Sequence, residues 1–541
     1  MKDMDRAVER ILRAIKNKET IAVWHDYDCD GVPGGALLSD FFSAIKYPVV
    51  AYVPERSEGY GLNETGIKAL KEKGVSLMIT VDCGITDNEE VLYADSLGVD
   101  TIVTDHHLPA RAEHAGGPGA ELPKAVAVLN PHRADCGYPF KELCGTGVAF
   151  KLTEALIQKN SDLRGHYFSW KEGREKWLLD LVALATVADM VPLVGENRVL
   201  VRFGLLVIHK GRRPGLRALF EAERISFRSA VEDDLAFSIA PKINAASRMD
   251  SPKKAFELLT TASGERAKEI AKELIALNKS RKIEGMLVAR EVKRRIESAP
   301  ALGNIIVMGH TTWRASLLGI AATSVVETYG KTVFLWGMDP SDSSGRARII
   351  KGSCRSDGNV NIVELMRRAE GVFTDFGGHE FSGGFSIAEK SIHRLPEALE
   401  SSLRSLGTPT TMHRGGAREP EGFLTLAEAN EEAYEALRTL APFGQGNPKP
   451  FFRIGKARVA KLFRFGGHRE HAKIFLSDES GAEAEAISFF VSRSSFHETF
   501  ALLSRGDTVT VDASLERSTF GGKPQFRLRI ESLALVPCRF D

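Results

Sequence analysis

Acidic and histidine residues follow four short apolar runs in the first half of the chain. They are Asp26, Asp28 and Asp30 after the first run, Asp82 after the second, Asp105, His106 and His107 after the third, and Asn130 and His132 after the fourth. Carboxylates and imidazoles are ligands of divalent cations, and clustered carboxylates repel one another unless a cation neutralises them. The pattern therefore predicts a pair of divalent cations bound by residues that are distant in sequence.

The acids of DYDCDG also have a simpler interpretation. An acid at every second residue would place the three carboxylates on one face of a strand. Alternatively, they could form a solvated turn, or cap the helix that is predicted to start near Pro33. Because Asp82, the Asp105-His106-His107 segment and Asp189 belong to the same predicted domain, we favour metal binding.

The elements that must position these residues are predicted from the apolar runs themselves. Short β-rich runs separated by helical stretches indicate the parallel strands of an α/β sheet. In such sheets ligands bind beyond the carboxyl ends of the strands, so the acids and imidazoles should meet at one edge. Residues 1–220 form this domain, and its last helix, over 175–190, carries Asp189.

The remainder of the chain divides into further segments. Residues 221–300 are a connecting segment with a less regular start and a long helix over 264–298, and residues 301–410 are a second α/β domain. A linker over 411–424 precedes five alternating runs in 425–541, which predict a small β-barrel similar to an oligonucleotide-binding fold. The predicted fold class is thus α/β with a terminal barrel.

Composition narrows the function classes. The 541 residues carry a net charge of only +1, but basic residues concentrate locally, as in the segment 461–473 that includes Lys473, so a polyanionic substrate is not excluded. The six cysteines form no CxxC pair, which favours reduced structural thiols over a zinc site. No run is long enough to span a bilayer and the amino terminus lacks the apolar core of a signal peptide, so we expect a cytoplasmic protein.

Several ordered motifs resemble those of a known family. DYDCDG, VDCG, TDHH and TVADMVP are similar to the successive motifs of the DHH phosphoesterases. LCGTGVAFKL, APKINAASRM, FGGHEFSGGFSI and PFGQGNPKPFF resemble segments of the RecJ-type exonucleases within that superfamily. The resemblance implies DHH, DHHA1 and barrel domains, and a hydrolase with two divalent cations, Mn²⁺ or Mg²⁺. Such an enzyme removes mononucleotides from a 5′ end of single-stranded DNA during repair and recombination.

The resemblance also implies roles for individual residues. Five positions match the metal ligands of the family, namely Asp28, Asp30, Asp82, His106 and Asp189, and Asp26 is a further candidate ligand. The implied catalytic residues are Asp82, which we expect to bridge the cations, His107, which would face the phosphate, and Asp105, which would support His106. The implied substrate contacts are His107, Asn244, Arg248, Gly377, Gly378, His379 and Lys473. Two departures are Trp24, where some members have a histidine, and Ser247, where a glycine is usual.

Other interpretations of single residues and of the whole chain remain open. Asn244 and Arg248 could pair with the protein's own carboxylates, and Gly377-Gly378-His379 could be a structural turn. The chain could instead be a phosphodiesterase of short oligonucleotides or cyclic dinucleotides, although the connector and the barrel argue against that. A non-catalytic scaffold is disfavoured by the five matching ligand positions. Expected partners are single-stranded DNA and a helicase or single-strand-binding protein, and we expect a monomer with no membrane contact.

Overall fold

The computed structural model describes residues 1–109, 121–299, 302–338, 349–406, 418–466, 469–491, 494–518 and 525–536. These residues form two α/β lobes joined by a long helix, followed by a barrel. The predicted fold class is therefore confirmed. None of the helices in these ranges is both long and apolar enough to cross a membrane.

The first lobe is built on a parallel sheet. Its strands are β1 (Thr20–His25), β2 (Val49–Tyr52), β3 (Val75–Val81), β4 (Asp100–Thr104) and β5 (Ala127–Leu129). They lie in the order β2-β1-β3-β4-β5, with every pairing parallel. Four strands coincide with the predicted apolar runs, whereas the edge strand β2 was not predicted. Because β2 and β3 lie on opposite sides of β1, a crevice opens beyond the carboxyl end of β1, where ligands bind in such sheets.

Helices pack around this sheet, some directly on its strands and others on neighbouring helices. They are α1 (Met4–Asn17), α2 (Gly31–Ala44), α3 (Glu64–Glu72), α4 (Asn88–Ser96), α5 (Gly145–Asp162), α6 (Leu179–Ala188), α7 (Gly195–Ile208), α8 (Pro214–Ala222), α9 (Ala240–Met249) and α10 (Lys253–Thr260). The predicted helix over 175–190 is shorter than expected, since a 3-10 turn over Arg174–Leu178 precedes α6. It is also not the last helix of the lobe, because α7 and α8 follow. The segment expected to be irregular contains a π-helix, Asp234–Ile239, as well as α9 and α10.

A single helix, α11 (Gly264–Glu297), connects the lobes, as the sequence predicted. At 1.5 Å per residue its 34 residues span about 50 Å. Its first half packs into the core of the first lobe through Ile270 and Leu274. Its second half packs into the second lobe through Val292 and Ile296. The helix thus has one end in each hydrophobic core.

The second lobe contains a mixed sheet. Its strands are β6 (Ile305–His310), β7 (Thr332–Gly337), β8 (Ile349–Arg355), β9 (Asp375–His379) and β10 (Ser382–Ala388), and its helices are α12 (Leu318–Tyr329), α13 (Ile362–Arg368) and α14 (Leu395–Leu406). The strand order is β6-β7-β8-β10-β9. Strands β9 and β10 form an antiparallel hairpin from the glycine-rich motif.

A closed barrel ends the described chain. Helix α15 (Glu431–Arg438) precedes it, and the barrel consists of β11 (Phe452–Phe465), β12 (His471–Ser477), β13 (Glu483–Ser488), helix α16 (His497–Leu502), β14 (Thr508–Ser518) and β15 (Gln525–Leu535). Closure in the order β11-β12-β13-β15-β14 confirms the predicted five-stranded barrel. The segment before the barrel contacts the first lobe, where the N–H of Leu193 donates to the carbonyl oxygen of Gln445 at 2.7 Å.

Candidate metal centre and nucleic-acid site

The three acids of DYDCDG lie in the turn between β1 and α2. The expectation that they share one face of a strand is wrong, because β1 ends at His25 and α2 begins at Gly31. Asp28 Oδ1 accepts hydrogen bonds from the backbone N–H groups of Asp30 and Gly31, at 2.7 and 3.2 Å, and so caps the first turn of α2. The turn directs the three carboxylates to different neighbours.

Three groups of potential metal ligands converge at the carboxyl edge of the parallel sheet. They are Asp26, Asp28 and Asp82; Asp30, His106 and Asp189; and Asp82, His106 and His107. Within each group the ligand atoms lie within 4.8 Å of one another. Asp82 and His106 each belong to two groups, and His106 Nε2 lies 3.3 Å from Asp82 Oδ1. The groups are therefore parts of one cluster, with Asp82 and His106 at its centre.

Asp82 is held in an unusual backbone conformation directly after β3. Its φ of 63° lies in the left-handed region, which costs a residue with a side chain about 1–3 kcal/mol. Two hydrogen bonds fix it there, since its N–H donates to the carbonyl oxygen of Thr104 at 2.9 Å and its own carbonyl accepts from the Tyr60 hydroxyl at 3.0 Å. The backbone is thus fixed in the conformation that points the carboxylate into the cluster.

The electrostatics of the cluster favour bound cations. Burial, together with repulsion from neighbouring acids, raises the pKa of Asp26 and of Asp82 well above the usual range. The same causes raise the pKa of Asp189 to about 8. Among the described residues, the buried atoms Asp26 Oδ1, Asp82 Oδ1 and His106 Nε2 have no hydrogen-bond partner. Carboxylate oxygens with one or two imidazoles match the ligand preferences of Mn²⁺ and Mg²⁺, so the residues present fit these cofactors.

Asp105 does not contact the cluster as a ligand. Its Oδ1 accepts from the backbone N–H groups of His106 and His107 and lies 2.8 Å from His107 Nδ1, while Oδ2 accepts from the Ile85 N–H. Asp105 thus contacts His106 through the backbone, while the ring that it orients is that of His107. Burial disfavours the imidazolium of His107, but Asp105 outweighs burial and raises the pKa of His107 to about 9.

The tryptophan at position 24 lies away from the cluster. Trp24 is fully buried and stacks on Tyr52, with ring centres 4.2 Å apart. His25 points to the opposite face of β1, where its ring stacks on Phe256 and its Nδ1 lies 2.7 Å from the carbonyl oxygen of Asp26. Neither ring belongs to the three groups of potential ligands.

A cluster of arginines lies beside the acidic turn. Burial, followed by repulsion from Arg56 and Arg281, lowers the pKa of Arg248 to about 10. Across the described ranges, none of these three arginines forms an ion pair with a carboxylate. Arg56 lies over the ring of Tyr27, at 4.4 Å from its centre. Positive charge that is not taken up by an ion pair suits a phosphate group.

Asn244 and Arg248 make contacts that the sequence did not suggest. Asn244 Oδ1 accepts from the backbone N–H of Cys29 at 2.9 Å, so its side chain holds the acidic turn. Arg248 donates from Nη1 to the carbonyl oxygen of Ser316 in the second lobe at 3.1 Å, and Ser316 Oγ donates to the Arg248 carbonyl at 2.8 Å. Ser247 Oγ lies 3.4 Å from Arg56 Nε. Helix α9 therefore links the acidic turn to the second lobe.

The glycine-rich hairpin supplies two of the predicted substrate residues. Gly377 is exposed and its Cβ position is open, so a ligand can approach its backbone. Gly378 has a φ of 142°, and a Cβ there would lie 2.4 Å from the carbonyl oxygen of Ser382, so the hairpin requires glycine at this position. The backbone of His379 pairs with Ser382, while its side chain lies outside the described residues.

Lys473 in the barrel is paired with a carboxylate. Its Nζ lies 2.8 Å from Glu485 Oε1 on the adjacent strand β13. Lys461 and Arg464 of the same basic segment are exposed and, in the part of the barrel that is described, have no ion-pair partner. The positive charge of this barrel surface therefore comes from β11 rather than from Lys473.

Sequence reasoning missed several residues that contact the cluster. Tyr60 is 48% exposed, and its hydroxyl lies 3.2 Å from His107 Nδ1 in addition to its bond to Asp82. Tyr27 lies between the predicted ligands Asp26 and Asp28 in the sequence, and this position was the one indication that it is near the site. The backbone N–H groups of Gly145 and Thr146, in the LCGTG motif, donate to the Asp30 carboxylate. Tyr60 carried no signal of its own in the sequence.

Three protein-family models match successive parts of the chain. The model described as the DHH family, N-terminal domain, matches residues 20–186. The DHHA1 domain matches 302–405 and the RecJ OB domain matches 421–532. The three matched ranges correspond to the first lobe, the second lobe and the barrel.

Two curated relatives carry the name single-stranded-DNA-specific exonuclease RecJ. The chain is 33% identical to the Salmonella typhimurium protein over 498 residues, 88% of this chain and 82% of that protein. It is 32% identical to the Bacillus subtilis protein over 90% of this chain, but it spans only 58% of that relative's length.

Solved structures of relatives carry metal ions. The structure of RecJ in complex with Mn²⁺ from Thermus thermophilus matches with a TM-score of 0.76 and 27% identity, covering 99% of this chain and 72% of that one. A second structure of the same protein, in complex with Mg²⁺, matches with a TM-score of 0.69 and 25% identity over 99% of this chain and 70% of that one.

Proposed function

The chain belongs to the RecJ family of DHH phosphoesterases, and we propose that it is a metal-dependent exonuclease that degrades single-stranded DNA from a 5′ end to mononucleotides. One observation carries this proposal: carboxylates from the ends of β1, β3 and α6 meet His106 in one cluster, beside three arginines that form no ion pair with the described carboxylates. Acids in such a cluster hold cations, and the arginines hold the phosphates of a strand. DNA repair and recombination are the processes that use this activity.

Each residue of the cluster has a part in the proposed activity. Asp26 and Asp28 would hold one cation, Asp30, His106 and Asp189 a second, and Asp82 would contact both. Cations bound there lower the pKa of a coordinated water and stabilise negative charge on the scissile phosphate.

His107 is the residue best placed to face that phosphate. Its side chain is 41% exposed, and its Nδ1 is oriented by Asp105. The carboxylate of Asp105 favours the protonated ring, and a protonated ring can donate a charge-assisted hydrogen bond to a phosphate oxygen. The Tyr60 hydroxyl lies 3.2 Å from Nδ1 of the same ring and helps to hold it in place.

Three surfaces would guide the strand to the cluster. Arg56, Arg248 and Arg281 supply positive charge next to the acidic turn. The exposed backbone at Gly377 would contact the strand from the second lobe. Lys461 and Arg464 on the barrel would bind phosphates farther along it, and exposed Phe463 between them offers a stacking surface.

Digestion of end-labelled DNA tests the proposal. A single strand labelled at either the 5′ or the 3′ end is incubated with the protein, with Mn²⁺ or with a chelator, and the products are sized. We expect the 5′ label to appear at once as a mononucleotide, while the 3′ label shortens gradually, and only when Mn²⁺ is present. Immediate release of the 3′ label would refute the polarity, and unchanged strands in Mn²⁺ would refute the activity.

The alternative is a phosphodiesterase of short oligonucleotides or cyclic dinucleotides. The barrel favours a long strand, because its basic surface on β11 would have no role with a dinucleotide. Comparing turnover of a long single strand with that of a dinucleotide under the same conditions separates the two functions. Faster turnover of the dinucleotide would favour the alternative.

A further inference from the structure

The LCGTG motif forms the amino-terminal turn of α5, directly behind the metal ligands. Cys144 caps the helix in an extended conformation, and Gly145 and Thr146 are its first two residues. All three are buried. None belongs to the groups of potential ligands, so the proposed function gives this turn no role.

Two residues of this turn make three hydrogen bonds to Asp30. The Gly145 N–H donates to Asp30 Oδ2 at 2.6 Å, and the Thr146 N–H donates to Oδ1 at 2.8 Å. The Thr146 hydroxyl donates to the backbone carbonyl of Asp30 at 2.6 Å. Both carboxylate oxygens and the backbone are thus fixed from one side.

The same turn approaches Asp82 closely. A Cβ on Gly145 would lie 2.6 Å from Asp82 Cβ and 2.7 Å from its Oδ1, so only glycine permits this contact. That Oδ1 is buried without a hydrogen-bond partner among the described residues, which indicates that a ligand completes its surroundings. One helical turn therefore contacts carboxylates of two ligand groups.

We propose that Thr146 is a positioning residue of the metal centre, which acts by holding Asp30 in the orientation that binds a cation. This inference rests on the proposed function, because it assumes that Asp30, His106 and Asp189 bind a metal. Each carboxylate oxygen of Asp30 accepts one hydrogen bond from α5 and has further lone pairs to offer to a cation. His106 Nε2 lies on the cluster side, 3.7 Å from Asp30 Oδ2. Residues that orient metal ligands in this way typically change metal affinity about 10–100-fold when replaced.

Replacing Thr146 by valine removes the hydroxyl and keeps the shape. The Asp30 carbonyl also accepts from the Gly34 N–H at 3.1 Å, so valine leaves no unsatisfied acceptor and the protein should fold. Thr146→Ser keeps the hydroxyl and loses the methyl group, and Thr146→Ala removes both and adds no methyl group in place of the hydroxyl. Thr153→Val is a matched control, because Thr153 is buried on the same helix and its hydroxyl bonds only to Ala149 among the described residues.

The experiment is a calorimetric titration of the DNA-free protein with Mn²⁺, after thermal melting in a chelator has verified folding. We expect about tenfold weaker binding for Thr146→Val and Thr146→Ala. Wild type, Thr146→Ser and Thr153→Val should bind equally well. Retained affinity in either hydroxyl-free variant would overturn the inference, and so would a serine variant as weak as valine or a matching loss in Thr153→Val. If wild type bound no Mn²⁺, the proposed function would fail and the inference with it.

Discussion

Replacing Asp82 by asparagine should abolish hydrolysis and, in the absence of metal, stabilise the fold. Asparagine tolerates the left-handed backbone at this position better than alanine does, so the change affects mainly the charge. Asp82 is the carboxylate shared between ligand groups, and its removal would take a ligand from both proposed cations. Single-strand binding through the arginines and the barrel should persist.

The size of the stabilisation is bounded by the cost of the buried charge. Burial and four neighbouring acids raise the pKa of Asp82 well above its ordinary value of 3.8. The free-energy cost of the raised pKa is at most about 1.36 kcal/mol for each pH unit between the ordinary value and the pH of the solution, which at pH 7 is about 4 kcal/mol. Because the folded-state pKa is raised, this cost grows as pH rises from about 4 towards the folded-state value. Asparagine removes the cost.

The assay is thermal unfolding of both proteins, in chelator and in Mn²⁺, alongside hydrolysis of a labelled strand. We expect the variant to melt at a higher temperature than wild type in chelator and to gain less from Mn²⁺. Asp87→Asn is the control for hydrolysis and for the response to Mn²⁺, because Asp87 is a buried acid outside the cluster whose pKa burial raises to about 6. It accepts from the Leu62 N–H at 2.8 Å, which the asparagine oxygen can also do. Hydrolysis by Asp82→Asn, or an undiminished response to Mn²⁺, would refute the reasoning.

Three further outcomes follow from the site. Asp105→Asn should lower kcat about 10–100-fold and reduce the melting temperature. The reason is that an amide cannot accept from all of the N–H groups that surround this carboxylate. An unchanged kcat would contradict the orienting role of Asp105. Removal of metal by a chelator should stop hydrolysis, and Mn²⁺ or Mg²⁺ should restore it; activity that persists in chelator would exclude the two-cation proposal. Replacing Lys461 and Arg464 by alanine should reduce the slope of log affinity against log salt concentration by about 0.7 for each lost phosphate contact with the single strand. Lys473→Ala should change this slope less, because Glu485 already pairs with that lysine. Equal effects would show that the pairing does not decide binding.

The sheet and the identity of the acids could be predicted because both depend on local patterns. Apolar runs with the β period specify strands, and a carboxylate directly after such a run lies at the carboxyl edge whatever the rest of the chain does. The division of Asp26, Asp28 and Asp30 between two groups could not be predicted. It depends on a turn whose direction is set by Asp28 capping α2 and by α5 holding Asp30.

The remaining differences have a common physical origin in tertiary contacts. Asp105 bonds to the backbone of His106 but to the ring of His107, and the direction of its side chain, which no spacing encodes, decides this. Lys473 loses its free charge to Glu485 through the pairing of β12 with β13. Tyr60 and Thr146 are residue types found anywhere in a protein, and only packing brings them to the acids.

The helix α11 restricts how this chain can change in length. Because its two ends are anchored in different cores, deleting one residue from its middle would turn the second lobe by about 100° and move it about 1.5 Å along the axis. Exposed positions such as Ile283 and Met286 should accept many side chains, yet the number of residues between the anchors should hardly vary. In that middle stretch the helix works as a spacer, where register matters more than side-chain identity.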